Sequence, residues 1–260
     1  MRNDTLKYRE WFERVQSKLR SGAPLLGTWI TIPHIEVTEI LSGLPFDWFL
    51  IDMEHAPIDV SQITPLLMSF KDTTIIPLVR VPWNDFVIIK RVLDLGVSGI
   101  MVPWINDSSE AKRAVEAIRY PPRGIRGVGP RRCIKYGFNS AIEYFNAWND
   151  HAILIAQIET RKGYENLEDI LSVDGISGIF VGPADLSASL GMFGRTNTPE
   201  FEELLVDIVR RARKFGKIVG IMAESPEFVL KAFKLGYNFI SLSHDMKFLV
   251  EGAKMFLSIF

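Results

Sequence analysis

Gln157 and Glu159 stand two residues apart at the end of the apolar run Ile153 to Glu159, a spacing that puts both side chains on one face of a strand. An isolated glutamate at such a place meets solvent or a neighbouring arginine without any chemistry. Asp185, in Gly182-Pro183-Ala184-Asp185-Leu186-Ser187, shifts the weighing, because it follows the next apolar run, Gly178 to Val181. If the two runs are adjacent strands, two carboxylates stand at one level and repel unless a cation lies between them. A hard divalent ion such as Mg2+, its shell completed by water and substrate oxygens, explains the pair more economically than a metal-free arrangement. The turn itself has a second use. Pro183 suits the first position of a helix, which leaves the amides of Ala184 and Asp185 free to hold a substrate carboxylate. An ordinary strand-to-helix turn has the same sequence.

Three further positions carry chemistry-bearing groups. His55 closes Asp52-Met53-Glu54-His55 at the end of another apolar run and is either a structural histidine or a general base working near neutral pH. Arg80 ends Ile75-Ile76-Pro77-Leu78-Val79-Arg80. It is either an outward surface charge or a guanidinium carried inward by an anionic partner, since burial without one is costly. Asp94 interrupts Val92-Leu93-Asp94-Leu95-Gly96, where it either caps the turn before Gly96 or orients His55, and the pattern leans to the cap. His34 and His151 read as surface residues, and His244 as a rim contact. Cys133 is the only cysteine, which excludes an internal disulfide and any multi-cysteine metal site, and its polar neighbours mark it as a packing residue.

The elements that would position these groups are eight short runs rich in β-branched and aromatic residues: Leu25 to Thr31, Trp48 to Asp52, Ile75 to Arg80, Gly99 to Pro103, Ile153 to Glu159, Gly178 to Val181, Ile218 to Met222 and Phe239 to Ser243. Between them lie segments of helical spacing, such as Ile35-Thr38-Ile40-Leu41, Phe86-Ile89-Val92-Leu93 and Phe228-Leu230-Phe233. Alternating apolar strands and helices predict a (β/α)8 TIM barrel, whose active sites lie at the C-terminal ends of the strands. The spacing predicts an amphipathic helix over Leu6 to Arg20, with Trp11, Phe12, Val15 and Leu19 on the side that caps the barrel or a partner. No linker divides the chain, so residues 1–260 are expected to form one barrel domain, with 1–24 as the helix and lead-in. Tyr120 to Pro130 is too rich in Gly and Pro for a helix and is expected to be a long loop of the catalytic face.

The balance of 30 Lys and Arg against 31 Asp and Glu offers no general attraction to nucleic acid or an anionic membrane. The N-terminus lacks a signal-peptide pattern and no apolar run reaches membrane-spanning length, so a cytoplasmic location is expected.

Four segments in order, Phe46-Asp47-Trp48-Phe49-Leu50-Ile51-Asp52-Met53-Glu54-His55, Tyr120-Pro121-Pro122-Arg123-Gly124-Ile125-Arg126-Gly127, Gln157-Ile158-Glu159-Thr160 and Gly182-Pro183-Ala184-Asp185-Leu186-Ser187, resemble the HpcH/HpaI aldolase family from about Gly27 to Asp245. The resemblance implies a barrel of the phosphoenolpyruvate/pyruvate type and a class II aldolase. Such an enzyme cleaves a 4-hydroxy-2-oxo acid into pyruvate and an aldehyde through a metal-held pyruvate enolate, with Mg2+, Mn2+ or Co2+. It further implies Glu159 and Asp185 as metal ligands, and Gln157 and Ala184, with Gly182 and Asp185, on the pyruvyl group. His55 is then the base, Arg80 the group on the enolate oxygen, and Asp94 the acid that raises the basicity of His55. A homohexamer, a trimer of dimers, is implied too. Ser243-His244-Asp245 departs from the family's usual glycine before the acid after strand eight, which shapes the rim and hence the aldehyde. Cys133 and Gly163 stand where alanine is more common. The apolar end Met255 to Phe260 packs either on its own barrel or on another subunit.

Rival readings are a Schiff-base aldolase, which needs a barrel lysine that none of the eight runs contains, and a CoA-ester lyase of the malyl-CoA or citrate-lyase-β type. Asp52-Met53-Glu54-His55 favours the aldolase branch. A catalytically silent barrel serving in assembly or ligand sensing is the reading from another class.

Overall fold

The computed structural model describes residues 7–259. Eight parallel strands pair in sequence order and close on themselves, β8 against β1: β1 (Leu25–Ile30), β2 (Trp48–Asp52), β3 (Ile76–Arg80), β4 (Gly99–Val102), β5 (Ile153–Ile158), β6 (Gly178–Val181), β7 (Ile218–Ala223) and β8 (Phe239–His244). The helices are α1 (Lys7–Ser21), α2 (Ile35–Ser42), α3 (Val60–Ser69), α4 (Phe86–Leu93), α5 (Ser108–Ile118), α6 (Ala141–His151), α7 (Arg161–Glu165), α8 (Leu167–Ser172), α9 (Pro183–Ser189), α10 (Pro199–Ala212), α11 (Pro226–Leu235) and α12 (Asp245–Leu257). The predicted (β/α)8 barrel and the helix ahead of β1 are both present. Leu6, the first residue of that expected helix, lies outside the described residues.

The strands are apolar throughout because both of their faces are covered. Outward residues such as Phe49, Ile51, Val79 and Ile100 pack on the surrounding helices in one large cluster. Inward residues fill the barrel: Leu25 and Trp29, Trp48 and Leu50, Ile76 and Leu78, Ile153 and Ile155, Phe180, and Phe239. Trp48 stacks on Phe239 with ring centroids 4.2 Å apart. The alternation fixes what comes next on each strand. Continuing the inward parity puts Asp52 above Leu50, Arg80 above Leu78 and Gln157 above Ile155, so the apolar interior ends in a polar layer at the C-terminal mouth.

The opposite mouth is closed by α1. Val15 is buried against the interior cluster, with Trp11, Phe12 and Leu19 beside it, and burying a side chain of this size contributes about 1.5–3 kcal/mol. Asp47, at the start of β2, holds the helix in place through Arg14 (2.5 Å) and Lys18 (2.7 Å) and also accepts the Leu26 N–H (2.8 Å).

The Gly- and Pro-rich segment is irregular from Tyr120 to Pro130, but it follows α5 rather than a strand. It therefore lies at the N-terminal mouth, away from the polar layer, and the expectation of a catalytic-face loop is corrected. Its anchor is Arg126, fully buried, whose guanidinium lies over Tyr120 (4.5 Å) and Trp148 (4.8 Å) and reaches Asp94 at 2.7 Å. Among the described residues, no helix is long and apolar enough to cross a membrane.

Candidate active site

Asp52 and Arg80 are register partners on β2 and β3. The carboxylate takes two parallel hydrogen bonds from the guanidinium, Nε to Oδ1 and Nη2 to Oδ2, both 2.8 Å, with both residues buried. Such a fork-to-fork pair fixes orientation as well as charge. The third nitrogen, Nη1, lies 2.8 Å from Glu54 Oε2 as an ion contact and 3.4 Å from Gln157 Oε1. The guanidinium lies over the Trp29 ring, its Cζ 4.1 Å from the ring centroid. Arg80 is thus an inward cation, the costlier of the two sequence readings, and Asp52 and Trp29 are the partners that make it possible.

Gln157 Nε2 donates to Glu159 Oε1 at 2.6 Å, so the i, i+2 pair does share the mouth of the barrel. The other carboxylate oxygen accepts the Trp104 N–H at 3.1 Å. Trp104 holds a left-handed φ of 54°, rare for a non-glycine residue, and this conformation turns its amide toward Glu159. Burial, then the nearby charges of Glu54 and Asp185, push the Glu159 carboxyl up to about 7 against partial relief from Trp104 and Arg80. Glu54 is raised as well, by burial first, with Arg80 and His55 pulling the other way.

A cleft of about 470 Å³ opens at this layer, lined by Trp29, Arg80, Gln157, Gly182, Ala184 and Asp185 among others. Pro183 takes the first helical position of α9, as its chemistry predicts. Gly182 has a steric role: a Cβ there would fall 3.0 Å from Glu159 Oε1, 3.1 Å from its Cγ and 3.3 Å from Gln157 Nε2. The missing side chain lets the turn pack directly against the carboxylate. Among the described residues, no cluster of three or more His, Cys, Asp or Glu side chains is arranged around a metal position. A donor set of two carboxylates, Asp185 on the cleft wall and Glu159 buried close behind it, fits a hard divalent ion that takes the rest of its shell from water and substrate.

His55 is exposed, its Nε2 4.0 Å from Glu54 Oε2, and so joins the cluster through Glu54. Asp94 does not join it. It ends α4, ahead of β4, at the N-terminal mouth, where Arg126 holds its carboxylate. Within one chain Asp94 and His55 stand at opposite ends of the barrel. His244 caps α12 through Nδ1, which accepts the Lys247 N–H at 3.3 Å. Cys133 is half-buried beside Asp94, and burial pushes its thiol up, as suits a packing residue. Sequence reasoning gave no role to Asp52, Glu54, Trp29 or Trp104. The Asp52 and Glu54 spacing was visible beside His55, and Trp29 has the inward parity of β1. Nothing in the sequence marks the backbone of Trp104.

A closed parallel barrel with its acidic and basic groups gathered at the C-terminal mouth defines an enzyme of the (β/α)8 class. The chain belongs to the HpcH/HpaI aldolase/citrate lyase family, whose model matches residues 25–252. It is 39% identical over 236 residues to a 4-hydroxy-2-oxo-heptane-1,7-dioate aldolase of Klebsiella pneumoniae, covering 91% of this chain and 89% of that protein. Its structure is similar to that of an HpcH/HpaI aldolase/citrate lyase family protein from Burkholderia cenocepacia, at 31% identity and a TM-score of 0.89, over 94% of this chain and 98% of that one. The HpcH/HpaI aldolase of Desulfitobacterium hafniense matches at 28% identity and a TM-score of 0.86, over 94% and 96% of the two chains.

Proposed function

We propose that this chain is a divalent-metal-dependent aldolase that cleaves a 4-hydroxy-2-oxo acid into pyruvate and an aldehyde, and catalyses the reverse addition. The observation that carries this reading is the fixed Arg80 guanidinium beside Gln157 and Glu159, in a cleft that Asp185 also lines. The names of the family and of the Klebsiella relative support the reaction class.

Glu159 and Asp185 would hold the metal, Mg2+, Mn2+ or Co2+, and when bound it supplies the Lewis acidity that makes the methyl protons of pyruvate removable. Gln157 and the Gly182-Pro183-Ala184 turn bind and orient the pyruvyl group. Asp52 occupies Nε and Nη2 of Arg80, and Nη1, which faces both Glu54 and Gln157, would exchange its contact with Glu54 for the charge that grows on the 2-oxo oxygen. His55 removes the methyl proton and in the cleavage direction returns it, with Glu54 steadying the imidazolium. Trp29 and Phe180 wall the cleft against water.

If Asp94 raises the basicity of His55, it is the Asp94 of a second copy of the chain, because its own barrel lies between them. Assembly has independent support in α12. Leu249, Val250, Met255, Phe256 and Leu257 are all exposed, and Asp245 is the one residue of that helix that is fully buried. An apolar helix face left in water favours a homo-oligomer, and a homohexamer is the form we propose.

The test is an aldol screen of pyruvate against succinic semialdehyde, tartronate semialdehyde, glycolaldehyde and lactaldehyde with each metal, repeated after exhaustive EDTA treatment. Metal-restored addition supports the reading. Activity that survives EDTA and is trapped by borohydride in the presence of pyruvate would overturn it.

A further inference from the structure

Glu159 is oriented from a neighbouring strand. After β4 the chain turns through Trp104, Ile105 and Asn106 before α5 begins. The Trp104 N–H donates to Glu159 Oε2 at 3.1 Å, and the next amide, that of Ile105, donates to the Gln157 backbone oxygen at 3.3 Å. With Gln157 Nε2 on Oε1 at 2.6 Å, each carboxylate oxygen has one protein donor. Two such donors fix the plane of the group and leave lone pairs on both oxygens for a cation.

The conformation that aims the Trp104 amide is unfavourable by itself. A left-handed φ of 54° costs a residue with a Cβ about 1–2 kcal/mol, so other contacts must hold it. Asn106 supplies them. Its Nδ2 donates to the Trp104 backbone oxygen at 2.8 Å, and its Oδ1 accepts the hydroxyl of Thr160, the residue after Glu159. The Asn106 backbone is held as well: its N–H donates to Glu110 Oε2 at 2.8 Å, and its oxygen accepts Asn166 Nδ2 at 2.9 Å. Every polar group of this half-buried residue is therefore engaged, and together they join the loop after β4 to the chain after β5. Thr160 completes the tie by capping α7, where its hydroxyl oxygen accepts the Gly163 N–H at 2.9 Å. Gly163 suits that turn because a Cβ would fall 2.8 Å from the Ile105 oxygen.

We propose that Asn106 is a positioning residue for the metal ligand Glu159: by bonding the Trp104 carbonyl and the Thr160 hydroxyl at once, it holds Trp104 left-handed and keeps the Trp104 amide on Glu159 Oε2. Asn106 is not among the residues lining the cleft and acts only through these two neighbours. The inference rests on the reading of Glu159 as a ligand and adds to it the residue that orients that ligand.

The experiment is calorimetric titration of Mn2+ into the wild-type chain and its variants. Asn106→Ala is expected to lose about 10- to 100-fold in affinity, the usual effect of removing a group that orients a ligand. Asn106→Asp keeps an acceptor for Thr160 and loses the donor to Trp104. It too is expected to bind Mn2+ more weakly, although its added negative charge alone would strengthen cation binding. Glycine adopts the left-handed backbone without strain, so Asn106→Ala is expected to cost clearly less affinity in a Trp104→Gly background than in the wild-type chain. Additive losses in that cycle, or an unchanged or tighter affinity in Asn106→Asp, overturn the assignment. Glu159→Gln separates the two levels. If the wild-type chain binds no Mn2+, or Glu159→Gln binds it equally well, the reading of Glu159 as a ligand fails and the inference falls with it. If Glu159→Gln abolishes binding while Asn106→Ala retains wild-type affinity, only the inference fails.

Discussion

Arg80 and Asp52 face each other across β3 and β2 through two hydrogen bonds of 2.8 Å, with the guanidinium over the Trp29 ring. The pair anchors the polar layer on top of the barrel core, and loss of either partner is expected to be costly. Asp52→Ala leaves a buried guanidinium with half its partners gone. Loss of one member of a buried pair costs about 3–5 kcal/mol, so denaturant unfolding of Asp52→Ala is expected to show a deficit of that order. A variant as stable as wild type would show that Glu54 alone suffices for Arg80.

Glu159 links pH to stability. Its carboxyl is raised from an ordinary 4.5 to about 7, so the folded, metal-free protein binds this proton more tightly than the unfolded chain does. The sign follows: the group costs nothing below about pH 4.5, and stability is lost as pH rises through about 7, by roughly 3 kcal/mol in full. Glu159→Gln is expected to be more stable than wild type at pH 8 in the absence of metal, with the gap closing toward pH 5. Thermal unfolding across that range checks it.

His55 is expected to matter for proton transfer and little for stability, because its side chain is 65% exposed. His55→Ala should slow pyruvate methyl exchange with D2O by about 10²- to 10⁴-fold, the usual span for a general base, with an unchanged melting temperature. Full exchange in both His55→Ala and metal-supplemented Glu159→Gln would place the chemistry elsewhere.

Gly182→Ala tests the close packing of the turn against Glu159. The added Cβ meets Oε1 at 3.0 Å and must push the carboxylate or the turn aside. Disturbing a metal ligand's surroundings typically costs 10- to 100-fold in affinity, and calorimetric titration of Mn2+ into the variant is expected to show about that loss. Wild-type affinity would remove Gly182 from the metal site.

Asp94 separates the two mouths of the barrel. Asp94→Asn deprives the fully buried Arg126 of its anion, and a stability loss of about 3 kcal/mol is expected. If Asp94 of a second copy also serves His55, the pH profile of pyruvate exchange shifts in this variant; a structural role alone leaves that profile where it was.

The strands, their order along the chain and the ends that carry polar groups were legible in the residues themselves. Apolar runs covered on both faces and helical spacing between them are local patterns, and the i, i+2 parity that lifts Gln157 and Glu159 to the mouth follows from the backbone alone. Closure of the barrel decided the rest. The pairing of Arg80 with Asp52 depends on strand register, the turn of the Trp104 amide toward Glu159 on a left-handed φ that no residue type announces, and the separation of Asp94 from His55 on the direction in which α4 runs. Sequence names the groups that can do chemistry because residue type sets charge and hydrogen-bonding capacity. Which of them meet is a matter of distance, and distance between residues far apart in the chain is settled only when the strands close around a packed core.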